Sequence, residues 1–294
     1  MIGGFMRTVS EMMDLILNVA KNDGRIRAVQ MQGSRTNNKV KADIFQDFDI
    51  CYYVNDILSF KKNPNWIDIF GDRLMLQMPE INQVTDNGII VYLMLFTDWN
   101  RIDLVLIPME MYKNDENDTE ESEALLLFAK DDIFKPFPPA THKIYNIKPP
   151  IDNQFYSACN EFWWGTQYVA KGIYRNELPY VKYFLDKIMR DEFHKMIEWY
   201  IGQKANYSVS AGKYGRYFKL YLDNRQYKMF CKTYVNNEYE NIWDAMFIMC
   251  DLFREFSEEV AKYNNFIYPK KDDENMTLYL KDLYVLCNEN NVNT

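Results

Sequence analysis

Apolar positions follow two periods along this chain, and the change from one to the other organises it. Behind Thr8-Val9-Ser10-Glu11, which has capping-box spacing, Met12, Met13, Ile16, Leu17 and Ala20 recur at helical intervals up to Gly24 and predict an amphipathic opening helix. Residues 26–32 then alternate as a strand that stops at Gly33-Ser34. A loop of charged and amide residues, 35–46, leads into Asp47-Phe48-Asp49-Ile50-Cys51-Tyr52-Tyr53-Val54, a second strand rich in aromatic and β-branched side chains. Residues 57–78 predict partial helix, with Pro64-Asn65-Trp66 starting a segment and Gly71 interrupting it. Two apolar runs, Ile89–Phe96 and Arg101–Ile107, flank the turn-rich Thr97-Asp98-Trp99-Asn100 and predict a β-hairpin.

Past this point the pattern loosens and then turns helical. The stretch from Glu110 to Glu123 is acidic and predicts a solvated loop, and Pro136, Pro138, Pro139, Pro149 and Pro150 forbid a continuous helix after it. Long helical repeats follow. Phe155, Cys159, Phe162, Trp163, Tyr168 and Val169 define one; Val181 to Tyr200 define another, with Pro179 in its first turn; Ile242 to Val260 define a third. Residues 276–287 predict a last short helix, and the Asn-rich tail from 288 is expected to fray. Strands first and helices afterwards predict an α+β fold: residues 1–150 with a small mixed sheet, and residues 151–294 as a helical bundle.

Composition changes this picture in three places. Aromatic residues make up 16% of the 294 positions, more than a core alone requires, and suit a wet cleft with stacking faces. The net charge of -8 argues against nucleic acid, whose partners present basic surfaces, and favours a cationic small molecule. No run reaches the roughly 18 apolar residues of a membrane span, and the start lacks the signature of a leader, so a cytoplasmic address without membrane is expected. The five cysteines, 51, 159, 231, 250 and 287, contain no CxxC pair and read as reduced, buried thiols.

Candidate chemistry centres on the second strand. Strand period 2 puts Asp47 and Asp49 on one face, about 7 Å apart along the strand, where a divalent cation would relieve their repulsion. Asp103 lies mid-run in the hairpin between Ile102 and Leu104, an expensive place for a carboxylate without a cation or donors. The Gly33-Ser34 turn could offer backbone N–H groups and a hydroxyl to phosphate oxygens. His142 and His194 are too few and too far apart for a histidine-based site.

In that order, Gly33-Ser34, then Asp47-Phe48-Asp49-Ile50, then Asp103 resemble the signature of the polymerase-β-type nucleotidyltransferases. At finer grain, Gln32–Asn37, Phe45–Ile50, Tyr92–Phe96, Asn160–Trp163, Tyr168–Gly172 and Tyr239–Trp243 are similar to the aminoglycoside 6-adenylyltransferases that inactivate streptomycin. The resemblance implies a nucleotidyltransferase domain over 1–150 and a nucleotide-closing helical domain over 151–294, with the active site between them. It implies transfer of AMP from ATP to a drug hydroxyl, at the 6-position, with Mg²⁺ as cofactor. Asp47 and Asp49 then become metal ligands, Asp103 a ligand, a general base or both, and Gly33 and Ser34 the grip on the triphosphate. Arg35, Lys171 and Lys213 are further candidates for phosphate. Glu161, Trp163, Trp164, Asp98 and Trp99 are candidates for a guanidinium-bearing drug. Two rival readings are transfer to another acceptor, such as a protein side chain, and a silent nucleotide- or drug-binding protein. Oligomeric state is not encoded in any of these features.

Overall fold

The opening helix α1, Val9–Asn22, begins where the sequence says it should: Thr8 Oγ1 accepts from the Glu11 N–H at 3.2 Å, and the Glu11 carboxylate accepts from the Thr8 N–H at 2.7 Å. The protein is seen here in a computed structural model that describes residues 5–37, 41–79, 88–112, 124–135 and 143–291. It divides into two compact units, Met1–Ile144 and Tyr145–Thr294.

The first unit is built on six strands: β1 (Ile26–Gln32), β2 (Phe48–Val54), β3 (Arg73–Gln77), β4 (Ile90–Phe96), β5 (Arg101–Pro108) and β6 (Leu125–Ala129). Their order across the sheet is β3-β4-β5-β2-β1-β6; β2 and β5 run parallel and the other neighbours antiparallel. Alternation decides the faces. Phe48, Ile50, Tyr52 and Val54 of β2, with Ile102, Leu104 and Leu106 of β5, join Met12 and Ile16 of α1 in one core. The Tyr52 hydroxyl donates to the Ile16 carbonyl at 2.6 Å and ties helix to strand. A one-residue slip of β2 would turn four buried side chains out, at on the order of 2 kcal/mol each, and carry Asp49 into the core, so the register is strongly specified.

The stretch 57–78 resolves into a short helix α2, Ile57–Lys62, a 3₁₀ segment, Pro64–Phe70, and the edge strand β3. The expected partial helix is there, with its second segment starting at Pro64 and ending at Gly71, and the stretch finishes as a strand. Strands β3 and β6 close the two edges of the sheet and have five residues each, too short for alternation to declare them. Most of the acidic stretch after Tyr112, together with Pro136, Pro138, Pro139 and His142, lies outside the described residues.

The second unit is helical: α3 (Asp152–Tyr174), α4 (Leu178–Tyr183), α5 (Arg190–Lys204), α6 (Phe218–Tyr221), α7 (Asn224–Lys232), α8 (Tyr239–Asn264) and α9 (Lys270–Asn291). Pro179 sits in the first turn of α4, and a π-helical stretch, Phe184–Met189, carries α4 into α5. Phe162 of α3 stacks on Phe253 of α8 with centroids 3.7 Å apart. The last helix is longer than its apolar positions suggest, because it opens on five charged residues, Lys270–Glu274. One of these, Asp273, is only 3% exposed. Arg254 of α8 grips it with two bonds of 2.6 and 2.7 Å, while the Tyr268 and Thr277 hydroxyls donate to it at 2.8 and 3.1 Å.

All five cysteines are free thiols; Cys231 is exposed, which corrects the expectation that all are buried. The His194 ring packs against Phe218 and Phe230, and burial pushes its pKa down to about 4, in keeping with a structural role. Among the described residues, no helix is long and apolar enough to cross a membrane.

Candidate active site

The face of β2 turned away from the core carries Asp49, and the parallel register sets Asp49 opposite Asp103 of β5. On the other side, Gln32 of β1 pairs with Asp49, so β1 ends and the Gly33–Thr36 turn begins beside that carboxylate. Gly33 has φ 73°, and a Cβ built on it would collide with the Asp49 carboxylate. Two demands therefore fall on one position, a left-handed backbone and no side chain, and only glycine meets both.

The turn is braced against the approach to β2. Thr36 Oγ1 donates to the Gly33 carbonyl at 2.8 Å, and Gln46 Nε2 donates to the Ser34 carbonyl at 3.1 Å. Arg35 donates to the carbonyls of Asp47 and Gln46 at 2.9 and 2.6 Å, and its guanidinium lies 3.8 Å from the centre of the Phe48 ring. Arg35 thus holds the loop on which Asp47 rides, through Nε and Nη2.

Asp47 lies one residue before β2 and completes the acid group. Burial, then the neighbouring charges of Asp103 and Asp47, push the Asp49 carboxyl up to about 6. Asp47 is raised too, by burial first, with Arg101 pulling against it. The cation among the acids is one that sequence reading passed over. Arg101 Nε and Nη2 each donate to an Asp103 carboxylate oxygen at 2.7 Å, and Arg101 Nη1 stands 3.5 Å from Asp47 Oδ2. The signal was available, since Arg101 and Asp103 are two apart on a strand and so share a face.

Among the described residues, no three acid, histidine or cysteine side chains stand close enough to grip an ion as arranged. The donor chemistry nonetheless suits a hard divalent cation. Three carboxylates gather at one end of the sheet, burial and then the neighbouring acids raise the Asp49 carboxyl, and the Arg101 guanidinium stands among them.

The remaining candidates separate clearly. Trp99 forms the hairpin turn that leads into β5, is 52% exposed and adopts φ 67°, unusual for so large a residue. Asp98 beside it is buried and committed to Arg7 and Asn100; although burial pushes its pKa up, those hydrogen bonds hold it well below the usual carboxylate range. That corrects its assignment to a drug. Trp163 is likewise corrected: it is 2% exposed in the helical core, packed against Phe162 and Phe253, where an aromatic at helical spacing belongs. Glu161 and Trp164 lie exposed on α3, and Trp164 Nε1 donates to the Tyr168 hydroxyl at 3.0 Å. Lys171 is half-buried and donates to Gln167 at 2.5 Å; Lys213 is exposed and lines a groove of about 900 Å³ with Lys148, Lys195, Glu198 and Trp199.

The sequence model of a family described as streptomycin adenylyltransferase matches residues 6–283. An aminoglycoside 6-adenylyltransferase of Bacillus subtilis (strain 168) is 37% identical over 282 residues, covering 95% of this chain and 99% of the relative. One from Campylobacter jejuni is 39% identical over 291 residues, covering 97% and 100%. A crystal structure of an aminoglycoside 6-adenyltransferase from Bacillus subtilis is 35% identical, covers 95% of this chain and 99% of its own, and superposes with a TM-score of 0.48.

Proposed function

The chain belongs to the streptomycin adenylyltransferase family, a family of nucleotidyltransferases, and from that premise we propose that it moves AMP from ATP to the 6-hydroxyl of streptomycin. One observation carries the mechanism: Asp49 faces Asp103 across the parallel strands, with the Gly33 turn pressed against Asp49. Asp47, Asp49 and Asp103 would supply the oxygen donors for Mg²⁺. A cation held there would draw off negative charge developing on the transferred phosphorus and on the leaving pyrophosphate.

The chain's own residues do the rest. The turn at Gly33-Ser34, fixed by Thr36 and Gln46, presents backbone to the triphosphate at a distance that no side chain at position 33 would allow. Asp103 takes the proton of the attacking hydroxyl as its oxygen bonds to the α-phosphorus and the bond to the pyrophosphate oxygen breaks. Trp99, exposed at the same end of the sheet, offers a ring face to a guanidinium of the drug. The requirement for ATP and the five free thiols support a cytoplasmic address.

Purified protein with ATP, Mg²⁺ and streptomycin should yield a drug heavier by one adenylate, located by fragmentation mass spectrometry, with stoichiometric pyrophosphate. Unmodified streptomycin beside another adenylated aminoglycoside would move the acceptor, and no adenylate on any aminoglycoside would sink the reading.

A further inference from the structure

We propose that Arg101 is the resident counter-ion of the acid group and that a divalent cation binds by displacing it, which makes Arg101 a positioning residue that sets how tightly the metal is held. The inference rests on the metal-binding role proposed above for Asp47, Asp49 and Asp103. Its basis is geometric. Both oxygens of Asp103 are occupied by the Arg101 fork at 2.7 Å, and the same guanidinium reaches to 3.5 Å from Asp47. An ion drawn to these carboxylates would meet oxygens already engaged.

The fork lies within reach of water. The Arg101 side chain is 41% exposed, against 19% for that of Asp103, so water can take up its donors once they leave. Arg101 sits at the first position of β5, next to the hairpin turn. Each face of the exchange has a function. Without metal, the guanidinium keeps three like charges together on a folded sheet; with metal, it is released beside them. A charge-assisted, two-bond fork of this kind should weaken metal binding by about tenfold.

The test titrates the full-length protein with Mn²⁺ alone, free ion being read by electron paramagnetic resonance, with no nucleotide or drug present. Arg101→Gln should bind Mn²⁺ about tenfold more tightly than wild type, while Arg101→Lys, which keeps a cation without the fork, should fall between them. In parallel, the Arg101 Nε–H signal in a ¹H–¹⁵N spectrum of wild-type protein, identified by its absence from Arg101→Lys, should shift or vanish as Mg²⁺ is added. That second measurement stands even if Arg101→Gln does not fold. Equal or weaker Mn²⁺ binding by a folded Arg101→Gln, or an Nε–H signal unmoved at saturating Mg²⁺, would overturn the exchange. If wild-type protein takes up no Mn²⁺ at millimolar concentration and Arg101→Gln takes up none either, the metal site itself falls, and the exchange with it.

Discussion

Two arginine–aspartate forks in this protein have nearly the same bond lengths and opposite surroundings. Arg254 and Asp273 join α8 to α9 in the helical unit; Arg101 and Asp103 sit at the open end of the sheet. Around Asp273 every lone pair is answered, since Tyr268 and Thr277 donate to it as well, and Arg254 has further bonds to Asp251 and Thr277 and lies against Trp163. Around Asp103 the surplus is of acids: three carboxylates share the Arg101 guanidinium, with Arg35 acting on two of them from the neighbouring loop. A saturated fork fixes two helices. A fork short of positive charge leaves room for a ligand that brings it.

The sharpest way to separate the two is to remove charge from each. Asp49→Asn should lower the rate of adenylyl transfer by about a thousandfold or more, roughly 4 kcal/mol of transition-state stabilisation, without lowering the melting temperature of the metal-free protein. Residual transfer within about tenfold of wild type would show that the acids at the sheet end are not the reacting site. Asp273→Ala should do the reverse: it strands Arg254 in the helical unit and should cost about 3 kcal/mol in denaturant unfolding, with the folded fraction transferring AMP normally. An unchanged unfolding midpoint would remove the contrast from that side.

A smaller effect distinguishes them by pH. The Asp49 carboxyl, at about 6 in the fold, ordinarily titrates near 4 in an unfolded chain, so between those values the folded protein holds more protons. Stability of the metal-free protein should therefore fall as pH rises from about 4 to about 6 and level off above. With the partial exposure of Asp49 taken into account, the drop should be about 1 kcal/mol. Asn at position 49 should flatten it. Urea titrations at half-unit pH intervals in chelator would show this, and a wild-type profile no steeper than that of Asp49→Asn would mean the acids do not strain the fold.

Much of this contrast was legible in the sequence, and the illegible part has a physical cause. Alternation announced β1, β2 and the β4–β5 hairpin, because each buries one full face and seven or eight residues suffice to show it. It could not announce β3 or β6, five-residue edges whose identity depends on the neighbour they complete. The parallel pairing that sets Asp49 against Asp103 is a tertiary fact, since it joins strands separated by an edge hairpin. The acids themselves stood out, as did Gly33-Ser34. Arg101 did not, because an arginine at a strand start is ordinarily solvated and its fork on Asp103 is set by side-chain geometry. On the helical side, apolar spacing started the last helix at 276 and left out Lys270–Glu274, whose charged run holds the most buried acid of α9. Trp163 shows the converse, an aromatic that suggested recognition and serves packing.

Gly33 has a consequence for how such genes can drift. The acids can each be exchanged by a single base change and leave a folded relic, but position 33 polices the site from the backbone, where even the smallest addition, a methyl group, meets the Asp49 carboxylate and a left-handed φ. A lineage that kept every acid and acquired alanine there would keep the look of a nucleotidyltransferase and lose its working part. In surveys of bacterial genomes, that single letter would tell a live copy from a fossil.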